Sequence, residues 1–289
     1  MRTAEELKNI VKETYSKIAL QSKEQNETSC CGATDCCAVD TDTAIMAEDY
    51  ARLPGYVPEA DLGLGCGLPT EYARMKEGDT VLDLGSGAGN DCFVARSVVG
   101  ESGRVIGVDM TETMVDKARR NAQSRGYQNV EFRLGEIEDL PLAANRVDVV
   151  VSNCVLNLVP DKQKAFEETY RVLKPRGHFI ISDIVAVGEL PEGLQNDAEL
   201  YSGCVSGAIQ REEYLRIIGQ VGFVNVQVQK QRRITLPDEL LARHLSGEEL
   251  RAFQTGGAAS GIFSVTVYAE KPEAAPPDVS CCTPGTGCC

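Results

Sequence analysis

The run Asp83-Leu84-Gly85-Ser86-Gly87-Ala88-Gly89-Asn90-Asp91 decides how this chain folds. It ends a β-rich run that starts at Val81, and it opens a helical pattern. Three closely spaced glycines between a strand and a helix let bare backbone approach a ligand where a Cβ would collide. An acidic residue, Asp109, ends the next β-rich run about 20 residues later, where a carboxylate can accept bonds from both hydroxyls of a ribose. Together they predict a nucleoside site. A dinucleotide fingerprint would carry its third glycine at position 90, where this chain has Asn90.

Working outward, β-rich runs alternate with helical patterns: Val81 to Leu84, Arg104 to Asp109, Val130 to Leu134, Val147 to Ser152 and Phe179 to Asp183. Thr111 to Gly126 puts Met114, Val115 and Ala118 on one helix face, and Asp161 to Leu173 reads as a helix stopped by Pro175 and Gly177. This alternation predicts an α/β fold, a doubly wound Rossmann-like sheet with its ligand crevice beyond the carboxyl ends of the strands. After Val187 the rhythm changes: Leu190 to Gly222 is helical with two breaks, and Val224 to Ile234 and Phe263 to Ala269 read as strands able to pair. The expected division is an N-terminal helix and cysteine-rich segment (1–60), a nucleoside-binding domain (61–187), a smaller α+β capping unit (188–271) and a flexible cysteine-rich tail (272–289). In the first segment Leu7, Ile10, Val11, Tyr15 and Ile18 follow the spacing of an amphipathic helix.

A net charge of −14 over 289 residues repels phosphate backbones and anionic membranes, so neither nucleic acid nor membrane is expected as a partner. Met1 to Ala19 lacks the apolar core of a signal peptide, and no run is long enough to cross a bilayer, which points to the cytoplasm. Twelve cysteines in a reducing compartment call for a chemical role rather than a disulfide framework. Eight lie as adjacent pairs near the ends: Cys30, Cys31, Cys36, Cys37, Cys281, Cys282, Cys288 and Cys289. Four stand singly. Cys92, inside the helix after the glycine loop, reads as a small buried hydrophobe. Cys154 follows Asn153 at the end of the fourth strand and so faces the reactive end of the crevice. Cys66, in the glycine-rich loop Gly63 to Pro69, and Cys204, among Ser202, Gly203, Ser206 and Gly207, read as presented thiols.

The Gly-x-Gly-x-Gly spacing after Asp83 is similar to that of S-adenosylmethionine-dependent methyltransferases, and Gly135-Glu136-Ile137-Glu138 resembles the stretch that borders adenine there. With Ser152-Asn153-Cys154-Val155-Leu156-Asn157-Leu158, Leu64-Gly65-Cys66-Gly67 and Gly107-Val108-Asp109-Met110-Thr111, the chain resembles the arsenite methyltransferase family over about residues 28 to 235. That resemblance implies S-adenosylmethionine as methyl donor, with Asp83, Gly85, Ser86, Gly87, Asp91, Asp109, Met110, Glu136, Ile137 and Asn153 as the cofactor set. It implies arsenite and methylarsenite as substrates, for arsenic detoxification, with trivalent arsenic on Cys66, Cys154 and Cys204. Cys31 is implied as a relay thiol pairing with Cys66, thioredoxin or glutathione as reductant, and Cys30 and Cys31 as further arsenic ligands. The chemistry is coherent, because trivalent arsenic is soft and selects thiolates. Its lone pair carries no proton, so methyl transfer needs no general base, which suits a chain whose only histidines are His178 and His244.

Other readings stay open. The paired cysteines could capture arsenite, hold zinc through Cys31-x4-Cys36, or have no catalytic role. The whole chain could methylate carbon in a lipid or quinone, or sequester metalloids through its thiols.

Overall fold

The structure, a computed structural model, describes residues 3–28, 48–188, 207–236, 241–242, 245–255 and 260–273. Seven strands form one sheet: β1 (Thr80–Leu84), β2 (Arg104–Asp109), β3 (Val130–Leu134), β4 (Val147–Asn153), β5 (Leu173–Val187), β6 (Val224–Arg233) and β7 (Gly261–Glu270). Their order is β3-β2-β1-β4-β5-β7-β6. Strands β1 to β5 run parallel to one another; β7 pairs antiparallel with both β5 and β6.

Strand alternation explains why both faces are covered. In β1 and β4, Val81, Val149 and Val151 point to one core, and Leu82, Leu84 and Val150 to the other. Helices α4 (Asn90–Val99) and α5 (Glu112–Ser124) fill the first core with Phe93, Val99, Met114, Val115 and Ala118. Helices α6 (Lys162–Val172) and α7 (Arg211–Val221) fill the second with Phe166, Val172, Tyr214 and Ile218. Caps fix their limits: the Asp161 side chain accepts the Lys164 N–H at 3.0 Å, and α7 stops at Gly222 in the left-handed region.

The order in which strands are added reverses between β1 and β4, which lie parallel, so their carboxyl ends stand side by side at the switch point. The glycine loop leaves β1 there, and Asn153-Cys154 leaves β4. Two expectations change in extent. Strand β5 runs well past Phe179 to Asp183, because ten residues of β7 pair along it from His178 to Val187. The strands expected within 188–271 do pair with each other, but they extend the common sheet rather than form one of their own. Helices α1 (Ala4–Ile18), α2 (Lys23–Thr28) and the short α3 (Pro69–Tyr72) precede the sheet, and α8 (Gly247–Thr255) lies between β6 and β7.

Candidate active site

A cavity enclosing about 1110 Å³, part of it open to solvent, lies at the switch point. Its floor is the glycine loop. Gly85, Gly87 and Gly89 all take positive φ, which lets the loop turn sharply from strand to helix. A Cβ added at Gly87 would meet nothing within 4 Å, so the backbone there borders open space where a ligand can lie, while Gly85 and Gly89 are pressed against Val155 and against Phe93 and Phe132. Asp109 stands beside it, its carboxylate accepting the Gly87 N–H at 2.9 Å and the Thr111 N–H at 2.8 Å. Burial raises its pKa against the pull of those bonds. Met110, Met114 and Ile137 supply apolar lining, and Glu136 marks the far rim. An acidic acceptor, bare backbone and apolar walls fit a nucleoside carrying positive charge.

The inner end is crowded with carboxylates. Asp83 is buried and pushed well above its ordinary value by desolvation and by Asp91, while the Cys92 thiol donates to it at 3.2 Å. Burial and Asp83 hold that thiol well above the ordinary cysteine range, so Cys92 is a neutral packing residue. Asp91, raised by burial to about 6, accepts the Tyr50 hydroxyl at 2.8 Å.

Cys154 lines the cavity and Cys66 does not; both belong to one buried apolar cluster with Val11, Leu158, Ile184 and Ile262. Cys154 sits at φ +60°, a left-handed conformation that costs a side-chain-bearing residue about 1–2 kcal/mol. Its N–H bonds the Ser182 carbonyl at 2.7 Å, so the last ladder bond of β4 fixes the turn that aims this side chain. Below lies Tyr214, whose hydroxyl donates to Asp183 at 3.2 Å; burial and Asp183 raise it well above the usual phenol value, with smaller contributions from Cys66 and Cys154. The sequence-based view of Cys66 as a presented thiol on a flexible loop is corrected: it has no exposed surface, and its backbone is bonded on both sides.

Helix α1 forms one wall. Lys8, Val11 and Tyr15 line the cavity, and Lys8 pairs with Glu136 at 2.7 Å and also with Glu138, while Lys12 reaches Glu136 at 3.2 Å.

Residues 75–222 match the family model for a methyltransferase domain. An arsenite methyltransferase of Halobacterium salinarum is 43% identical over 238 residues, which cover 78% of this chain and 60% of that one. One from Aquipseudomonas alcaligenes is 36% identical over 243 residues, 81% of this chain and 67% of that one. The crystal structure of an arsenic(III) S-adenosylmethionine methyltransferase from Chlamydomonas reinhardtii superposes with a TM-score of 0.63 at 33% identity, covering 78% of this chain and 72% of that chain. The chain belongs to the arsenite methyltransferase family. It spans 60% of the length of the Halobacterium arsenite methyltransferase and 67% of the Aquipseudomonas one.

For the arsenite methyltransferase site read from the sequence, every expected cofactor residue, from Asp83 to Asn153, lines the one cavity. Cys66 and Cys154 come together. Cys204, Cys30 and Cys31 lie outside the described residues, and among those described no group of three His, Cys, Asp or Glu side chains could hold a metal ion. Tyr50, Lys8, Val11, Tyr15 and Met114 were not foreseen as cavity residues. The helical spacing of α1 could have pointed to Val11 and Tyr15; nothing local marks Tyr50.

Proposed function

We propose that the protein transfers methyl groups from S-adenosylmethionine to trivalent arsenic held on cysteine sulfur. The observation that carries this reading is the meeting of Cys66 and Cys154 in one apolar cluster at the inner end of a cavity with a bare glycine cradle and a ribose acceptor at Asp109. S-adenosylmethionine, when bound, supplies a methyl group on a positively charged sulfur. Asp109 holds the ribose, Met110 and Ile137 flank the base, and the carboxylates of Asp83 and Asp91 balance the positive charge. Cys66, Cys154 and Cys204 hold arsenic from one side and leave its lone pair pointing to the methyl group. The new As–C bond uses that lone pair, and the electron pair of the broken C–S bond stays on the cofactor sulfur.

Arsenic is formally oxidised by two electrons in the transfer. Two thiols can return them by forming a disulfide and releasing two protons; the family resemblance implies Cys31 as relay with Cys66 as its partner, and thioredoxin or glutathione as final reductant. Methylarsenite then re-enters as substrate. The residues' contribution is alignment and exclusion of water, a source able to supply on the order of 7 to 11 kcal/mol.

Incubating the protein with arsenite, S-adenosylmethionine and a thiol reductant should yield methylated arsenic, separated by liquid chromatography, with none from Cys154→Ser. Methylation of a lipid or quinone acceptor by the Cys154→Ser protein, with no arsenic product from the parent chain, would favour the carbon-methylating alternative. Arsenic held without turnover would favour sequestration.

A further inference from the structure

Asn153 precedes Cys154 in the chain, yet its side chain is spent on the segment that carries Cys66. Its Oδ1 accepts the Cys66 N–H at 3.0 Å, and its Nδ2 donates to the Gly67 carbonyl at 2.8 Å and to the Tyr50 hydroxyl at 2.5 Å. Tyr50 donates onward to Asp91. The carbonyl of Cys66 is taken by a third group, the Ser264 hydroxyl on β7, at 2.6 Å. The fit is close: a Cβ at Gly65 would stand 2.7 Å from Asn153 Nδ2.

The Cys66, Gly67, Tyr50 and Ser264 ends of these bonds are buried and Asn153 is half-buried; leaving a buried partner unsatisfied costs about 1–3 kcal/mol. Among the described residues no strand pairs with residues 63–67, and the bonds from Asn153 and Ser264 to this loop are side-chain bonds. The residue that makes most of them is covalently next to the second thiol. Cys154 is fixed in turn by its bond to Ser182 and its left-handed turn.

We infer that Asn153 is a positioning residue that fixes Cys66 against Cys154, with Ser264 as second fastener, so that arsenic meets a preset pair of sulfurs. The inference rests on the proposed function for its arsenic part; the fastening of Cys66 stands apart from it. Preset sulfurs spare the ordering cost that two mobile thiols would incur on binding. Because Asn153 also lines the cofactor cavity, the same side chain ties the geometry of the thiols to the wall facing the methyl donor.

Asn153→Ala and Ser264→Ala test this in the full chain. Tryptic peptides 53–74, 77–96 and 147–162 each hold one cysteine, Cys66, Cys92 and Cys154, so iodoacetamide labelling can be timed at each by mass spectrometry. In both variants Cys66 should label about tenfold faster, while Cys92 stays slow, and arsenite affinity should fall by about the same factor. Ser264 does not line the cofactor cavity, so Ser264→Ala should keep the parent affinity for S-adenosylhomocysteine. Should Asn153→Ala not fold, Ser264→Ala carries the test. Parent-like labelling of Cys66 in the folded variants would overturn the inference, as would equal acceleration at Cys92, which would mean general loosening. Faster Cys66 labelling in a protein whose parent form binds no arsenite would uphold the fastening and overturn the proposed function instead.

Discussion

At the scale of single residues, Cys154 combines a costly backbone conformation with a side chain in the cavity, and strain of this kind collects at functional sites. If the thiol is the reason the strain is kept, Cys154→Gly should unfold at higher denaturant than Cys154→Ala, by about 1 kcal/mol, with neither variant methylating arsenic. Identical midpoints would mean the turn is not strained. Asp183 offers a second residue-scale test. Its carboxyl is fully buried beside Tyr214 and raised to about 6 from 3.8. The native state therefore binds a proton that the unfolded chain has released between those values. That contribution is complete below pH 3.8 and lost as pH rises through about 6. Asp183→Asn keeps the shape and cannot ionise, so its stability relative to the parent should rise by up to about 3 kcal/mol between about pH 4 and about pH 7 in urea unfolding. A difference that does not change with pH would contradict the buried charge. Asp109 and Cys154 were legible in the sequence because each ends a β-rich run, and strand ends converge in this sheet. The buried state of Cys66 was not legible, because the groups that bury it, Asn153 and Ser264, lie 87 and 198 residues away.

At the scale of elements, the strands facing the cavity were readable from apolar runs bounded by polar residues: β2 and β3 match the expected bounds, and β4 gains one residue. Strand β5 was not, since its length is set by a partner, β7, more than seventy residues on, and pairing between distant runs leaves no local mark. Helix α1 was legible as a helix, but not as a wall of the cavity. It starts with a capping box, Thr3 and Glu6 each accepting the other's N–H. Val11 and Ile18 anchor it in the apolar cores, and at the cavity rim it adds the pairs of Lys8 and Lys12 with Glu136, partly exposed and worth no more than about 1 kcal/mol each, and of Lys8 with Glu138. Lys8→Ala with Lys12→Ala should therefore speed release of S-adenosylhomocysteine a few-fold in stopped-flow displacement, with global stability nearly unchanged. The parent rate should rise toward the variant's as salt is added. Equal release rates at low salt would remove α1 from any role in holding the cofactor.

At the scale of the whole molecule, one topological fact organises the site: the order of strand addition reverses between the parallel strands β1 and β4, so the cofactor loop and the Asn153-Cys154 turn leave the sheet side by side. Asp83, Asp91 and Asp109 line the inner part of the cavity with no basic side chain ion-paired to them among the described residues, which favours a cationic methyl donor over its neutral-sulfur product. The α/β architecture and the cofactor crevice were legible because strand-helix alternation and glycine spacing are local signals. The joining of β6 and β7 to the same sheet was not, because an antiparallel pair reads alike whether it stands alone or extends a neighbour. On the proposed reading, arsenic sits on Cys66, Cys154 and Cys204 rather than on the paired cysteines of the chain ends. X-ray absorption at the arsenic edge, on protein loaded with one equivalent of arsenite and S-adenosylhomocysteine, tests it most directly. Seated there, arsenic should show an all-sulfur shell that loses sulfur for oxygen in Cys66→Ser with Cys154→Ser and survives replacement of all eight paired cysteines by serine; a shell that persists in the first variant and vanishes in the second would rule that seating out.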